Sequence, residues 1–333
     1  MSEIRNVQKT GKATYIVSLP KSWVISNNIK AHDKLVILEN EDGSLTIYPH
    51  GKLKKREENN IIINFSDYNS YEEVLRECIA FYLAGYNLIK IINVTSNIEE
   101  LKNELRERLV GVEIIEETIN SFTLQVFTSS IEINIEKILN RMFSMVYLMF
   151  ENFISLLKGE INYYERIIKL DTDVDRFYNF ISRQINLALN NSYLLYELGL
   201  NKKLDCIEYK LVARSLERIA DHIEEMVVNF TKVSSIVPDT IDEIIELAEK
   251  IKENFKNIVI TFMKKDKKIA NKSIINIIYI LNDIKNLTDK IFRKNININN
   301  LISIKLILES LKRISEYTID IAENTINISN YNF

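Results

Sequence analysis

The chain has 333 residues, 46% hydrophobic and 27% charged, a composition that excludes a disordered or collagen-like protein and leaves room for two or three domains. Seven glycines and three prolines disfavour a turn-rich all-β fold over the whole length, and the absence of glycine after Gly199 reads as long helices. The net charge of −3 hides an asymmetry: residues 1–56 carry ten Lys/Arg against five Asp/Glu, and the rest carries 33 against 41. Two cysteines, Cys78 and Cys206, exclude a disulfide framework and fit buried thiols in a reducing cytosol. The polar start argues against a secretory signal, and no apolar run approaches the ~18 to 20 residues of a membrane span. A cytoplasmic location without a membrane span is therefore expected.

Residues 1–50 read as strand, strand, short helix and hairpin. The β-prone runs are Ala13 to Leu19, Lys34 to Leu38 and Leu45 to Tyr48. Pro20 suits the first turn of the helix, and Glu41-Asp42-Gly43-Ser44 suits a tight turn. So short a segment buries too little surface to stand alone, and a homodimer sharing one core is the simplest remedy. Gly51 to Asn60, with Lys52, Lys54, Lys55 and Arg56, reads as a charged linker.

Residues 61–129 read as a small α+β domain. Strand Ile61 to Phe65, helix Ser70 to Ala84, strand Leu88 to Asn93 and helix Ile98 to Val110 precede a hairpin, Val112 to Glu117 and Phe122 to Phe127. Gly85 and Gly111 are expected as helix C-caps. Glu113, Glu116 and Glu117 read as a solvated strand face, and no chemistry is visible.

Residues 131–333 are helical throughout, and they repeat. Ser215, Leu216, Arg218 and Ile219 recur as Ser310, Leu311, Arg313 and Ile314. Upstream, Asp173, Ile181 and Arg183 recur as Asp283, Ile291 and Arg293. An amphipathic helix precedes each pair, near Lys137 to Leu157 and Thr240 to Lys264, so the spacing predicts two three-helix units, 131–236 and 238–333.

The copies differ in their acids. The stripe Tyr164, Ile167, Val174, Tyr178, Ile181, Ile185 has Asp171 where a hydrophobe is expected, and Leu281 occupies the aligned place in the second copy. Asp175 follows one turn later on the same side. On the next long helix Glu217, Asp221 and Glu224 share a face. That face reads either as a solvated surface or as half of a cation site formed with Asp171 and Asp175. Four gathered carboxylates repel unless a cation holds them, and hard oxygen donors suit magnesium, manganese, calcium or oxidised iron. The second copy aligns Lys285 with Asp175 and Lys312 with Glu217, which suggests ion pairs in place of a metal.

These residues carry a resemblance. The duplicated three-helix units, Asp171-x-x-x-Asp175 and Leu216-Glu-Arg-Ile-Ala-Asp-His222 resemble the PhoU phosphate-uptake regulator family. The resemblance implies a metal ion, with iron, manganese, magnesium, calcium and zinc all open, held by Asp171, Asp175, Glu217 and Asp221. It does not extend to Lys285 and Lys312. Val7-Gln-Lys-Thr-Gly-Lys-Ala-Thr-Tyr-Ile-Val-Ser-Leu-Pro-Lys-Ser-Trp-Val24 resembles an AbrB/SpoVT swapped-hairpin DNA-binding domain, which implies an interleaved dimeric β-barrel. With Tyr82-Leu-Ala-Gly-Tyr86 and Leu109-Val-Gly-Val-Glu113, the whole chain is similar to an archaeal type that fuses the two.

The function expected is a DNA-binding transcriptional regulator of phosphate uptake or of metal and phosphate homeostasis. Arg5, Lys9, Lys12 and Lys21 would grip phosphates, with Asn6 and Thr10 adding hydrogen bonds; the alternative for each is an ordinary solvated loop. The competing reading is an adaptor that docks on a phosphate transporter or a sensor protein, with a head that only dimerises. A metal-dependent enzyme is not expected, because paired Glu-x-x-His motifs and a nucleophile–base pair are missing.

Overall fold

The computed structural model describes residues 4–39, 43–50, 59–127, 134–160, 163–200, 202–233 and 238–330. The expected linker residues 51–58, the turn residues Glu41 and Asp42, and the expected boundaries at 129–131 and 236 lie outside them. The chain divides into two compact units, residues 1–59 and 60–333.

In the first unit β1 (Gln8–Thr10) and β2 (Thr14–Ile16) form a hairpin that turns at Gly11, φ 67°. Pro20 caps α1 (Lys21–Ser26), and β3 (Leu35–Glu39) pairs with β4 (Leu45–Pro49). The two hairpins remain separate two-stranded sheets, so among the described residues one chain closes no barrel. No described residue of 4–50 is buried, and Tyr15, Ile16, Val17, Ile25, Ile37 and Leu45 are exposed. Two isolated hairpins of this length have no second layer to cover their apolar sides.

The second unit begins with β5 (Asn60–Asn64), α2 (Tyr71–Ala84), β6 (Leu88–Ile92), α3 (Ile98–Arg108), β7 (Val112–Thr118) and β8 (Ser121–Val126). The sheet order is β5-β6-β8-β7, and the parallel pair β5/β6 is joined by the α2 crossover. Ile63, Ile89, Ile91, Phe122 and Leu124 are buried in one cluster with Val74, Leu75, Cys78, Leu101 and Leu105 of the two helices. Gly85 caps α2 in the left-handed region, φ 99°. Gly111 does not cap α3; Leu109 closes that helix, and Gly111, φ 71°, turns the chain into β7. The acids of β7 are partly engaged: Glu117 pairs with buried Lys102 at 2.7 Å, and Glu116 accepts from Thr123.

The helical part follows as α4 (Ile135–Leu157), α5 (Tyr164–Leu189), α6 (Ser192–Glu197), α7 (Lys203–Phe230), α8 (Pro238–Lys264), α9 (Lys267–Phe292) and α10 (Ile298–Asn330). Each copy has three long helices, with the short α6 as an extra turn in the first. Two of the three long helices pack against their repeat mates, α4 on α8 and α7 on α10. Phe143 and Phe150 of α4 meet Phe255 of α8 at 6.0 and 5.6 Å between ring centroids. Helices α7 and α10 run antiparallel, since Asn327 donates to Glu208 and Ser310 to Glu225. Both cysteines are buried free thiols, and no helix among the described residues is long and apolar enough to cross a membrane.

The sheet region is fastened to α5. Arg183, 1% exposed, donates to the carbonyls of Tyr82 and Gly85 and to Asn87 Oδ1 at 2.8 Å. Its guanidinium lies 4.7 Å from the centre of the Tyr82 ring. It sits at the carbonyl end of α2, where a cation is favoured. Asn186 donates to Leu83 O at 3.0 Å. A Cβ on Gly85 would lie 2.3 Å from Leu187 Cδ2, so glycine serves both the left-handed cap and the close approach of α5. We predict that Arg183→Leu, which removes the guanidinium donor from Gly85 O and Asn87 Oδ1 and leaves Tyr82 O with only the Gly85 N–H, costs about 2 to 4 kcal/mol. Urea unfolding measures it; an unchanged midpoint would show that the junction is not held by this side chain.

Candidate metal centre

The site lies between α5 and α7. The core side of α5 buries Ile167, Val174, Ile181 and Ile185, and the core side of α7 buries Val212, Leu216, Ile219 and Ile223. Asp171, 9% exposed, interrupts the α5 series. Helical spacing places Asp175 one turn beyond it, and Glu217, Asp221 and Glu224 along α7.

Asp175, Glu217 and Asp221 each present an oxygen, and these atoms lie within 4.8 Å of one another. Asp171 stands outside that trio. Its neighbouring acids are Glu224, Asp175, Asp221 and Glu217, and it shares a hydrogen bond with Glu224. Asp171 Oδ1 and Glu217 Oε2 are buried without a hydrogen-bond partner. His222 does not join the group: its Nδ1 lies 3.1 Å from Glu225, and its ring stacks on Tyr317.

Burial, reinforced by the neighbouring acids, pushes the Asp171 carboxyl up to about 8. The same causes raise Glu217 to about 7 and Asp175 to about 6. Asp221 and Glu224 are raised as well, burial again leading. Cations offset part of this. Arg214 Nη1 lies 2.7 Å from Glu217 Oε1, and Arg218 Nη1 lies 3.2 Å from Asp221 Oδ2. Arg108, itself paired with Glu104, acts on Asp175 from further off. Five carboxyl groups thus share two guanidiniums paired within the group and a third, Arg108, acting from further off.

The donor set fits a hard cation. Oxygens that share one calcium ion stand at most about 4.6 to 5.2 Å apart, and the atoms of the trio fall within that limit. The group is all carboxylate, which matches magnesium, calcium or manganese better than a thiophilic ion. The orphaned Asp171 oxygen is one turn from the trio, within the same acidic groove.

The second copy is built otherwise. Lys312 Nζ lies 3.5 Å from Glu309 and 3.6 Å from Glu316. Lys285 is exposed and has no carboxylate partner among the described residues, so the ion pair expected for it is absent. It leaves the outer side of α9 where nothing packs on it, whereas its mate Asp175 lies on a helix covered by α2, α3 and α7.

The candidate nucleic-acid residues all lie in the first unit and are exposed. Arg5 and Asn6 precede β1, Lys9 and Thr10 are its last two residues, Lys12 is in the turn, and Lys21 opens α1. Arg5 donates to Ser18 at 3.1 Å. Lys9 and Thr10, consecutive in a strand, project to opposite faces of the hairpin.

Comparison with known proteins now bears on both regions. Residues 139–229 match the family model of the PhoU domain. The helical part carries a PhoU domain. The match runs from α4 to α7 and so contains Asp171, Asp175, Glu217 and Asp221. Residues 8–55 match the model described as Antidote-toxin recognition MazE, bacterial antitoxin, so the first unit carries a MazE/AbrB-like domain. Among solved structures, PhoU from Pseudomonas aeruginosa is similar at 12% identity, over 59% of this chain and 96% of that one, with a TM-score of 0.44. No curated protein matches the chain.

The acids of the site have folded-state values above their ordinary ones, so the metal-free folded chain retains protons that the unfolded chain has released. The contribution of these acids to stability is then fully present at low pH and is lost as pH rises from about 4 towards 8. We predict that the chelator-treated protein melts progressively lower over that window and that Asp171→Leu flattens the curve. A melting temperature that is level or rises with pH in the parent would contradict the crowding.

Proposed function

We propose that this protein is a DNA-binding transcriptional regulator of phosphate uptake or of metal and phosphate homeostasis, with the PhoU domain as a metal-binding sensor. The observation that carries the reading is the pairing in one chain of a basic MazE/AbrB-like head with a PhoU domain whose groove gathers more carboxylates than it has paired cations. Asp175, Glu217 and Asp221 would hold the ion, with Asp171 supplying a further oxygen beside them. The bound ion would neutralise the groove. Protons held there in its absence would leave, and the two facing helices would be drawn together.

The head would act as a homodimer. Its exposed apolar residues are of the kind that a second copy covers, and they favour self-association over an isolated monomer. Arg5, Lys9, Lys12 and Lys21 would neutralise phosphates, and Asn6 and Thr10 would fix register.

Two predictions test the halves separately. If the dimer meets about six phosphates, log K for DNA falls against log salt with a slope of about −5, and Ala at Arg5, Lys9 and Lys12 weakens binding while the dimer persists. Salt-insensitive binding, or full binding by the triple variant, would refute the DNA half. A pull-down that retains a transporter or sensor protein without any chromatin footprint would favour the adaptor instead. For the sensor half, cation at a hundredfold its dissociation constant should stabilise the chelator-treated protein by about 2.7 kcal/mol. Asp171→Leu should lose that response without lowering the metal-free melting temperature. No shift in the parent with iron, manganese, magnesium, calcium or zinc would reject the sensor.

A further inference from the structure

The two copies place an ion pair at the same register with opposite polarity. In α7 the cation comes first, with Arg214 Nη1 2.7 Å from Glu217 Oε1. At the aligned positions of α10 the acid comes first, with Lys312 Nζ 3.5 Å from Glu309 Oε1. The next pair keeps its polarity: Arg218 lies 3.2 Å from Asp221, and Arg313 lies 3.0 Å from Glu316. The fold therefore accepts either order. Order decides whether a carboxylate joins Asp175 and Asp221, as Glu217 does, or an ammonium joins Glu316, as Lys312 does. In both copies the cations reach their acids from about one turn away on the same helix.

Those arginines hold one oxygen of each of the two α7 carboxylates in the trio. Arg214 holds Glu217 Oε1, Arg218 holds Asp221 Oδ2, and Arg218 Nε stands 3.7 Å from Glu217 Oε2. Both side chains are partly exposed, at 39% and 42%, so water can solvate them when they let go. While paired with Glu217, Arg214 also lies over Tyr178, its guanidinium carbon 5.2 Å from the ring centre.

We propose that Arg214 and Arg218 are resident competitors of the cation, which must displace them, and that they set its affinity and select multiply charged ions. A sodium or potassium ion brings no more charge than the guanidinium it would replace and lacks its directed hydrogen bonds. A divalent ion brings the charge of both guanidiniums to one point among the three carboxylates. This rests on the cation-site reading of the same residues and adds to it the groups that guard the site.

The test uses full-length protein stripped with chelator and titrated with manganese(II) chloride, read by calorimetry and by thermal shift. Arg214→Gln should bind manganese about tenfold more tightly than the parent, the loss of one charge-assisted hydrogen bond in the metal-free state. Arg218→Gln should also tighten binding, and Lys312→Gln in the second copy should leave it unchanged. Added sodium chloride should weaken manganese binding more in Arg214→Gln than in the parent. Equal or weaker manganese binding in both arginine variants overturns the proposal and leaves the metal site standing. No manganese binding by the parent or by either variant removes the site and the proposal together.

Discussion

From Leu170 to Leu189 every residue of α5 is buried or half-buried. That constraint governs residues 60–330. A helix covered by neighbours along five turns leaves little room for charge, yet this one buries Asp171 and Arg183 and half-buries Asp175. Burying an ion without a partner is expensive, so each must be neutralised or matched. Arg183 is matched by carbonyls at the end of α2 and by the Tyr82 ring. Asp171 and Asp175 meet further acids on α7, and protons or a cation must supply what the arginines do not. The junction to the sheet and the acidic groove are two consequences of one helix being enclosed.

The duplication gives an internal control for that groove. The second copy has the same three long helices and buries the same kind of apolar core, with leucine and lysine where the first has aspartates. Its charges close within α10, where Lys312 and Arg313 share Glu309 and Glu316. The acids of the first copy are therefore not required by the fold. They occupy places where the architecture is equally content with an apolar or an oppositely charged side chain.

The head follows from a different limit. Two hairpins with strands of three to five residues and a six-residue helix cannot enclose a core, and the structure leaves Tyr15, Ile16, Val17, Ile25 and Ile37 at the surface. Basic side chains share that unit. The combination of uncovered apolar area and positive charge is what a small domain needs if a second copy completes it and an anionic polymer occupies its outside.

Local chemistry made much of this legible in the sequence. Helices and strands fell close to their expected limits because periodicity, Ser70, Pro20, Gly85 and Pro238 mark them with near-neighbour physics. The repeat, and Asp171 as an acid in an apolar series, were visible for the same reason. What depends on distant contacts was not. Arg183 reads as one more helix-surface arginine until α2 is seen to end on it, and Gly85 reads as a cap until Leu187 is seen to fill the space beside it. Lys285 looked like a counter-ion by alignment, but reach across a groove depends on which side of α9 is covered. Gly111 looked like a cap because a spacing of two residues is below what sequence resolves. The trio of Asp175, Glu217 and Asp221, with Asp171 set one turn apart beside Glu224, was decided by the offset between two antiparallel helices. That offset comes from how apolar side chains interlock across the core, and no charge pattern along a single helix encodes it.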